Sequence, residues 1–308
     1  MSARPSPRRL AAVALLAACV LAAAGFYWFR VRSAAPANLI GYLPAANASV
    51  IYIDVDALRR SGLLAIMAGT KSVEEPDYQH FVQETKFDYS HDLDAVAAAI
   101  QDGRIYFALR GTFHWSNLRD YALHQGGSCH DDYCALAGSQ ADRRISFYPL
   151  KSDVLAMAVG RDDFEAYKVT RQPVNAIPVT PPDPVWAMVP AAALQKMDVL
   201  PVAAKAYIPA LQSAERIVFS IGADPTHQLQ LGVHVTCKDP AAATALQTQF
   251  ETVTKALRDV LARQRQTPDP ADLSGVLVAG AFRREDRQVY GAWPIPKAFV
   301  DAITGNGR

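Results

Sequence analysis

Val96-Ala97-Ala98-Ala99-Ile100-Gln101-Asp102-Gly103-Arg104-Ile105-Tyr106-Phe107-Ala108-Leu109-Arg110 decides the fold class. Two apolar runs of strand length flank Asp102-Gly103, a pair suited to the two-residue turn that joins antiparallel strands. Parallel strands would need a crossover of a dozen or more residues here, and there is no room for one. The sheet is therefore expected to be built from hairpins.

Further strand and helix signals lie on either side. Val50 to Val55 reads as a strand, followed by a helix from Asp56 to Met67 that is broken or slackened at Gly62. A helix near Ser116 to His124 stops at Gly126-Gly127, and Arg144–Leu150 with Asp153–Val159 reads as a second hairpin. Asp162 opens a short helix through Phe164 and Tyr167. Pro173, Pro178, Pro181, Pro182 and Pro184 then mark a linker over 173–184.

After this linker the order starts again. Val185–Val189 is expected as a strand, with a helical stretch to Leu211 and strands at Arg216–Ile221 and Leu229–Cys237. Asp239-Pro240 places an N-cap and a first-turn proline at the start of a helix. Its apolar face would be Leu246, Phe250, Val253, Leu257 and Val260. Val276–Phe282 and Gln288–Trp293 read as the last strands and Pro296–Ile303 as the last helix. Both halves give strand–helix–strand–strand–helix–strand–strand–helix, which predicts an α+β fold of two similar units with antiparallel sheets and helices on one face. The units are expected over 44–172 and 185–304, as two sheets or one fused sheet.

Leu10 to Phe29 contains no charge and no proline. A helix of that length rises about 30 Å, the thickness of a bilayer's hydrocarbon core. Phe26, Tyr27, Trp28 and Phe29 crowd one end, where aromatic rings favour the membrane interface. Arg4, Arg8 and Arg9 precede the stretch and Arg30 and Arg32 follow it, so the richer N-terminal flank is expected in the cytoplasm. That gives a cytoplasmic tail 1–9, a transmembrane helix 10–29, a linker 30–43 and a body outside the cytoplasmic membrane. Two processed forms compete with this retained anchor: signal-peptidase cleavage at Ala22–Ala24, and lipidation of Cys19 within Leu16-Ala17-Ala18-Cys19.

The first 32 residues hold five of the 31 basic residues and none of the 30 acids, leaving the body 26 basic residues and a formal charge of −4. With no basic tract, nucleic acid is excluded as an expected partner. The expected partners are the bilayer, through residues 10–29, and another envelope protein.

Cys129 and Cys134 bracket His130-Asp131-Asp132-Tyr133 and are expected to form a disulfide in an oxidising compartment. Period-two alternation buries Cys237 as a free thiol and puts His234 on the opposite face. His124, His130, Asp131 and Asp132 are the candidates for a metal site. Cys-x4-Cys with one internal histidine is not a standard zinc arrangement, and oxidation would consume the thiolates. His91-Asp92-Leu93-Asp94 suits a turn or cap. No nucleophile elbow, phosphate-binding loop, dinucleotide fingerprint or His-Glu-x-x-His occurs, so no cofactor and no catalytic residue are assigned. The leading expectation is a non-catalytic binding or assembly protein. An exported hydrolase or metal-dependent enzyme centred on His124–Asp132 is the alternative.

Leu43-Pro44-Ala45-Ala46-Asn47-Ala48-Ser49-Val50-Ile51-Tyr52-Ile53-Asp54-Val55-Asp56-Ala57-Leu58 and Gly103–Phe113 resemble a loose group of membrane-anchored bacterial envelope proteins of unknown function. The resemblance implies a duplicated α+β body in the envelope. It supplies no catalytic residue.

Overall fold

A computed structural model describes residues 36–64, 76–171, 181–194, 207–223 and 228–304. The tail 1–9, the apolar stretch 10–29 with Phe26–Phe29, and residues 30–35 of the linker lie outside the described residues. So do 172–180 of the Pro-rich segment and most of the helical stretch expected before Leu211. Among the described residues, no helix is long and apolar enough to cross a membrane.

The first half runs α1 (Pro36–Ile40), β1 (Ser49–Asp54), α2 (Val55–Arg60), α3 (Pro76–Thr85), α4 (Tyr89–Asp92), β2 (Leu93–Gln101), β3 (Arg104–Gly111), α5 (Trp115–His124), β4 (Ser128–His130), β5 (Tyr133–Ala137), β6 (Arg144–Lys151) and β7 (Val154–Gly160). A 3₁₀ turn, Glu165–Lys168, ends it. The second half runs β8 (Val185–Val189), α6 (Ala191–Leu194), a 3₁₀ turn (Pro209–Ser213), β9 (Ala214–Ala223), β10 (Leu229–Cys237), α7 (Pro240–Arg263), α8 (Leu273–Val278), β11 (Ala281–Glu285), β12 (Gln288–Pro294) and α9 (Lys297–Thr304).

All twelve strands form one antiparallel sheet in the order β11-β12-β10-β9-β8-β1-β2-β3-β7-β6-β5-β4. The open question of one sheet or two is thus answered by the β1–β8 pairing, which fuses the halves. Counted outward from that seam, each half has the same order: first, second, third, fifth and fourth strand, with β4–β5 added at one edge. Across the seam Tyr52 lies opposite Trp186 and the rings stack at 5.7 Å, both fully buried.

The turn that opened the sequence reading forms as expected. Asp102 (φ +50°) and Gly103 (φ +72°) both take the left-handed conformation that a tight β2–β3 hairpin requires. The strands it joins are rich in alanine, a poor strand former. Ala97, Ala99, Ala108, Ala156 and Ala158 are all fully buried on one face, here termed the front, beneath Leu39, Ile40 and Leu43. Side chains this small let the covering chain lie directly on the sheet.

Helices do not keep to one face. On the front of the first half lie α1 and the segment around Glu165–Lys168; on the back, Leu118 and Ala122 of α5 pack against Phe147, Leu155 and the cysteine pair. In the second half α7 covers the back through Ala243, Leu246 and Phe250, packed on Val233, Val235, Cys237 and Val289. Asp239 caps α7, its carboxylate accepting from the Ala242 N–H at 2.7 Å. The expected apolar face holds through Leu257, but Val260 is exposed, because a 24-residue helix outruns the strands beneath it.

One expected element needs correction. Val276-Leu277-Val278 is helical: Asp272 caps α8 through the Gly275 N–H (3.0 Å), and all three residues are buried. The last hairpin's first strand therefore begins at Ala281. The helix after β1 is broken at Gly62, as expected: α2 ends at Arg60, Gly62 takes φ +76°, and helical backbone resumes at Leu63-Leu64, with Ala65–Met67 outside the described residues.

Candidate functional site

The sequence-predicted residues come first. Cys129 and Cys134 are directly opposed in the β4–β5 hairpin and form a disulfide, S–S 2.07 Å. Cys134 is fully buried under α5, which ties an edge hairpin to the back-face core. Asp131, at φ +50°, makes the turn, and His130, Asp131 and Asp132 are exposed on it. His124 stands apart at the end of α5, its side chain 70 % exposed and its Nδ1 3.5 Å from Glu84. Among the described residues no three His, Cys, Asp or Glu side chains gather as a metal site would require.

Asp92 acts as a local cap, its carboxylate accepting from the Asp88 N–H at 2.8 Å, and Asp88 caps α4 by accepting from Ser90. Cys237 is buried and free, as expected. His234 is half-buried on the front face, its ring stacked on Tyr290 at 4.5 Å.

A denser polar cluster lies where sequence reading did not look. After β7 the chain turns back across the front face as a strap, residues 162–171. Four side chains of the sheet pin it. The Tyr133 hydroxyl donates to the Asp163 carbonyl (2.7 Å), Ser146 Oγ accepts from the Ala166 N–H (3.1 Å), the Tyr148 hydroxyl donates to the Val169 carbonyl (2.7 Å), and the Tyr106 hydroxyl donates to Glu165 (2.9 Å). Glu165, 3 % exposed, also accepts from Arg104 (2.8 Å) and Lys168 (2.7 Å). Burial by itself would raise its carboxyl. The hydrogen bonds from Lys168 and Tyr106 and the charges of Lys168 and Arg104 outweigh that and hold it below the ordinary carboxylate value. The same contacts raise Lys168, chiefly through its hydrogen bond to Glu165, and burial followed by Glu165 raises Tyr106. Gly160 makes the room, since a Cβ there would fall 2.7 Å from Glu165 Cγ.

A cavity of about 570 Å³ opens at the seam, lined by Pro36, Tyr52, Asp54, Asp183, Pro184 and Ala223 among others. Its polar groups are engaged in structure. Asp54 caps α2 through the Ala57 N–H (2.8 Å), and its own N–H donates to the Pro184 carbonyl (2.7 Å). The Tyr52 hydroxyl is pushed up to about 12, by burial first and Asp54 second, which removes it as a base near neutrality. One is a polar cluster buried beneath the strap and the other a cavity at the seam. Neither holds a nucleophile beside a general base.

No family model and no curated protein sequence matches this chain. Among solved structures it is similar to crystal form III of TP0453, with TM-score 0.44, 8 % identity, and coverage of 86 % of this chain and 97 % of that one. Crystal forms I and IV of TP0453 give TM-score 0.43 at 8 % and 9 % identity, covering 86 % of this chain and 96 % of that one. Neither the fold description nor the functional reading rests on that likeness.

Proposed function

We propose that this chain is a non-catalytic binding or assembly protein of the cell envelope, built from two related α+β units and held at the cytoplasmic membrane by residues 10–29. The observation that carries the reading is the Cys129–Cys134 disulfide, a bond that persists outside the reducing cytoplasm. The 20-residue uncharged stretch and the heavier basic flank before it support the same placement of the body. The shared strand order of the halves supports descent from one unit, with bounds near 44–172 and 185–304. Non-catalytic action is supported by how three carboxylates are used: buried Glu165 and half-buried Asp54 and Asp88 are each spent on holding backbone or side chains in place.

Protease added to intact spheroplasts tests the arrangement. The body should be digested, leaving a membrane-bound fragment of a few kilodaltons. If the body is cut only after the membrane is permeabilised, the orientation is wrong and the envelope role falls with it.

A further inference from the structure

The strap also presents two aromatic rings to solvent. Phe164 is 65 % exposed and Tyr167 55 %, whereas Ala166 and Val169 of the same strap are fully buried. Residues three apart eclipse in a 3₁₀ turn, which explains why the two ring planes lie within 6° of parallel, with centroids 6.3 Å apart. They are not loose. Tyr167 stacks on Tyr133 at 4.1 Å, Tyr133 stacks on Tyr148 at 5.9 Å and faces Phe164 at 6.0 Å. The hydroxyls of Tyr133 and Tyr148 are fixed to strap carbonyls on either side of the turn. At the rim, Arg144 pairs with Asp163, both partly exposed, and Lys168 Nζ reaches Glu165 while its side chain stays half exposed.

We propose that Phe164 and Tyr167 form a stacking platform for a linear polysaccharide. A pyranose ring has a C–H face that packs on an aromatic plane and an equatorial belt of hydroxyls that both donate and accept. The rim meets that belt with a carboxylate and with guanidinium and ammonium groups. Rings locked in parallel before the ligand arrives reduce the ordering cost of binding. Seating these rings in a bilayer would instead desolvate the Arg144–Asp163 pair. The polysaccharide reading rests on the envelope location only for the source of the glycan; its chemistry stands on the platform.

The test uses the purified full chain in detergent, co-sedimented with peptidoglycan sacculi and titrated with a soluble N-acetylglucosamine oligomer. Wild type should pellet with sacculi, and the oligomer should release it. The F164A/Y167A double variant should weaken oligomer binding about ten-fold or more. F164Y, which keeps the ring plane, should retain binding, and L123A, at another exposed apolar site, should bind like wild type. A single cooperative melting transition above the assay temperature and an intact disulfide will show that the variants fold. The platform is overturned if wild type binds neither glycan, or if F164A/Y167A binds as well as wild type. It is equally overturned if the double variant loses affinity for phosphatidylglycerol vesicles while keeping its glycan binding. Because purified protein is used, a glycan-binding chain that spheroplasts shield from protease would refute the location alone. A correctly exposed chain that ignores glycans would refute the platform alone.

Discussion

The two halves share a strand order but are dressed differently. In the first half both faces of the sheet are covered, by α1 and the strap in front and by α5 behind. In the second half every described helix packs behind, on the core around Val235, Phe250 and Trp293. The front there carries Arg216, Ser220, Gln230, His234, Gln288 and Tyr290, none of them buried. Strand composition follows from this. The doubly covered strands use alanine on the strapped face, while β9, β10 and β12 alternate apolar with polar residues, as a sheet with one wet face does. The same backbone pattern thus supports a layered half and an open half. The strap and its exposed rings lie on the layered one.

The largest expected effect tests whether the halves behave as one body. Phe250 is 1 % exposed at the centre of the back-face core, touching Tyr207 and Phe282. Phe250→Ala should cost about 3–5 kcal/mol through lost transfer energy and the cavity left behind. Because β1 and β8 are hydrogen-bonded neighbours, the loss should be felt across the sheet. Denaturant unfolding should show a single transition at a lower midpoint. Hydrogen-exchange protection should fall in β2–β3 as well as in β9–β10. Two separated transitions would divide the molecule at the seam.

A second variant bears on the layered half alone. Glu165→Gln leaves Arg104 and Lys168 facing a neutral amide and should cost about 2–3 kcal/mol, with exchange protection lost in the strap before β10 is affected. Glu165 titrates lower when folded than the value of about 4.3 expected unfolded, so as pH falls the unfolded chain takes up the proton first. Its stabilisation is complete above that value and drains away as pH drops through the folded one. Melting followed from neutral pH into acid should therefore fall less steeply for Glu165→Gln than for wild type. Parallel curves would remove Glu165 from the acid response.

How much of this was legible follows from how far each signal reaches along the chain. The Asp102-Gly103 hairpin, the Asp239 cap, the Cys129–Cys134 pair and the Cys237 side of β10 are set by neighbours a few residues apart, and each lies where the pattern put it. The seam was not legible, because Tyr52 and Trp186 meet across 134 positions with no local mark on either. Val276–Val278 misled for a related reason: an apolar triplet reads the same in a buried helix and in a strand, and only the Asp272 cap separates the two. Glu165 was hidden because its partners Arg104 and Tyr106 come from a strand some 60 residues earlier. Phe164 and Tyr167 carried a readable spacing, three apart, but the tilt of their rings depends on the strap's being pinned to the sheet.

The smallest effect belongs to the open half. His234, Tyr290 and Arg283 lie side by side across β10, β12 and β11; the imidazole stacks on the Tyr290 ring and the guanidinium sits 3.9 Å from that ring's centre. Burial lowers the imidazole's pKa most, and the positive charges of Arg216 and Arg283 add to that, against a smaller upward pull from Gln288 and Glu285. The folded value thus lies below the ordinary one of about 6.5, and the unfolded chain binds the proton first on acidification. The contribution of His234 is whole above that pH and is lost as pH falls through the folded value. An NMR titration should find His234 protonating below the ordinary histidine value of about 6.5. Removing one of these positive charges, in Arg283→Gln, should move His234 part of the way back toward about 6.5 and leave the strap's exchange unchanged. A His234 that titrates at the ordinary histidine value in wild type would mean that this face is as wet as a free strand edge, and the contrast between the halves would then be sharper than the packing alone implies.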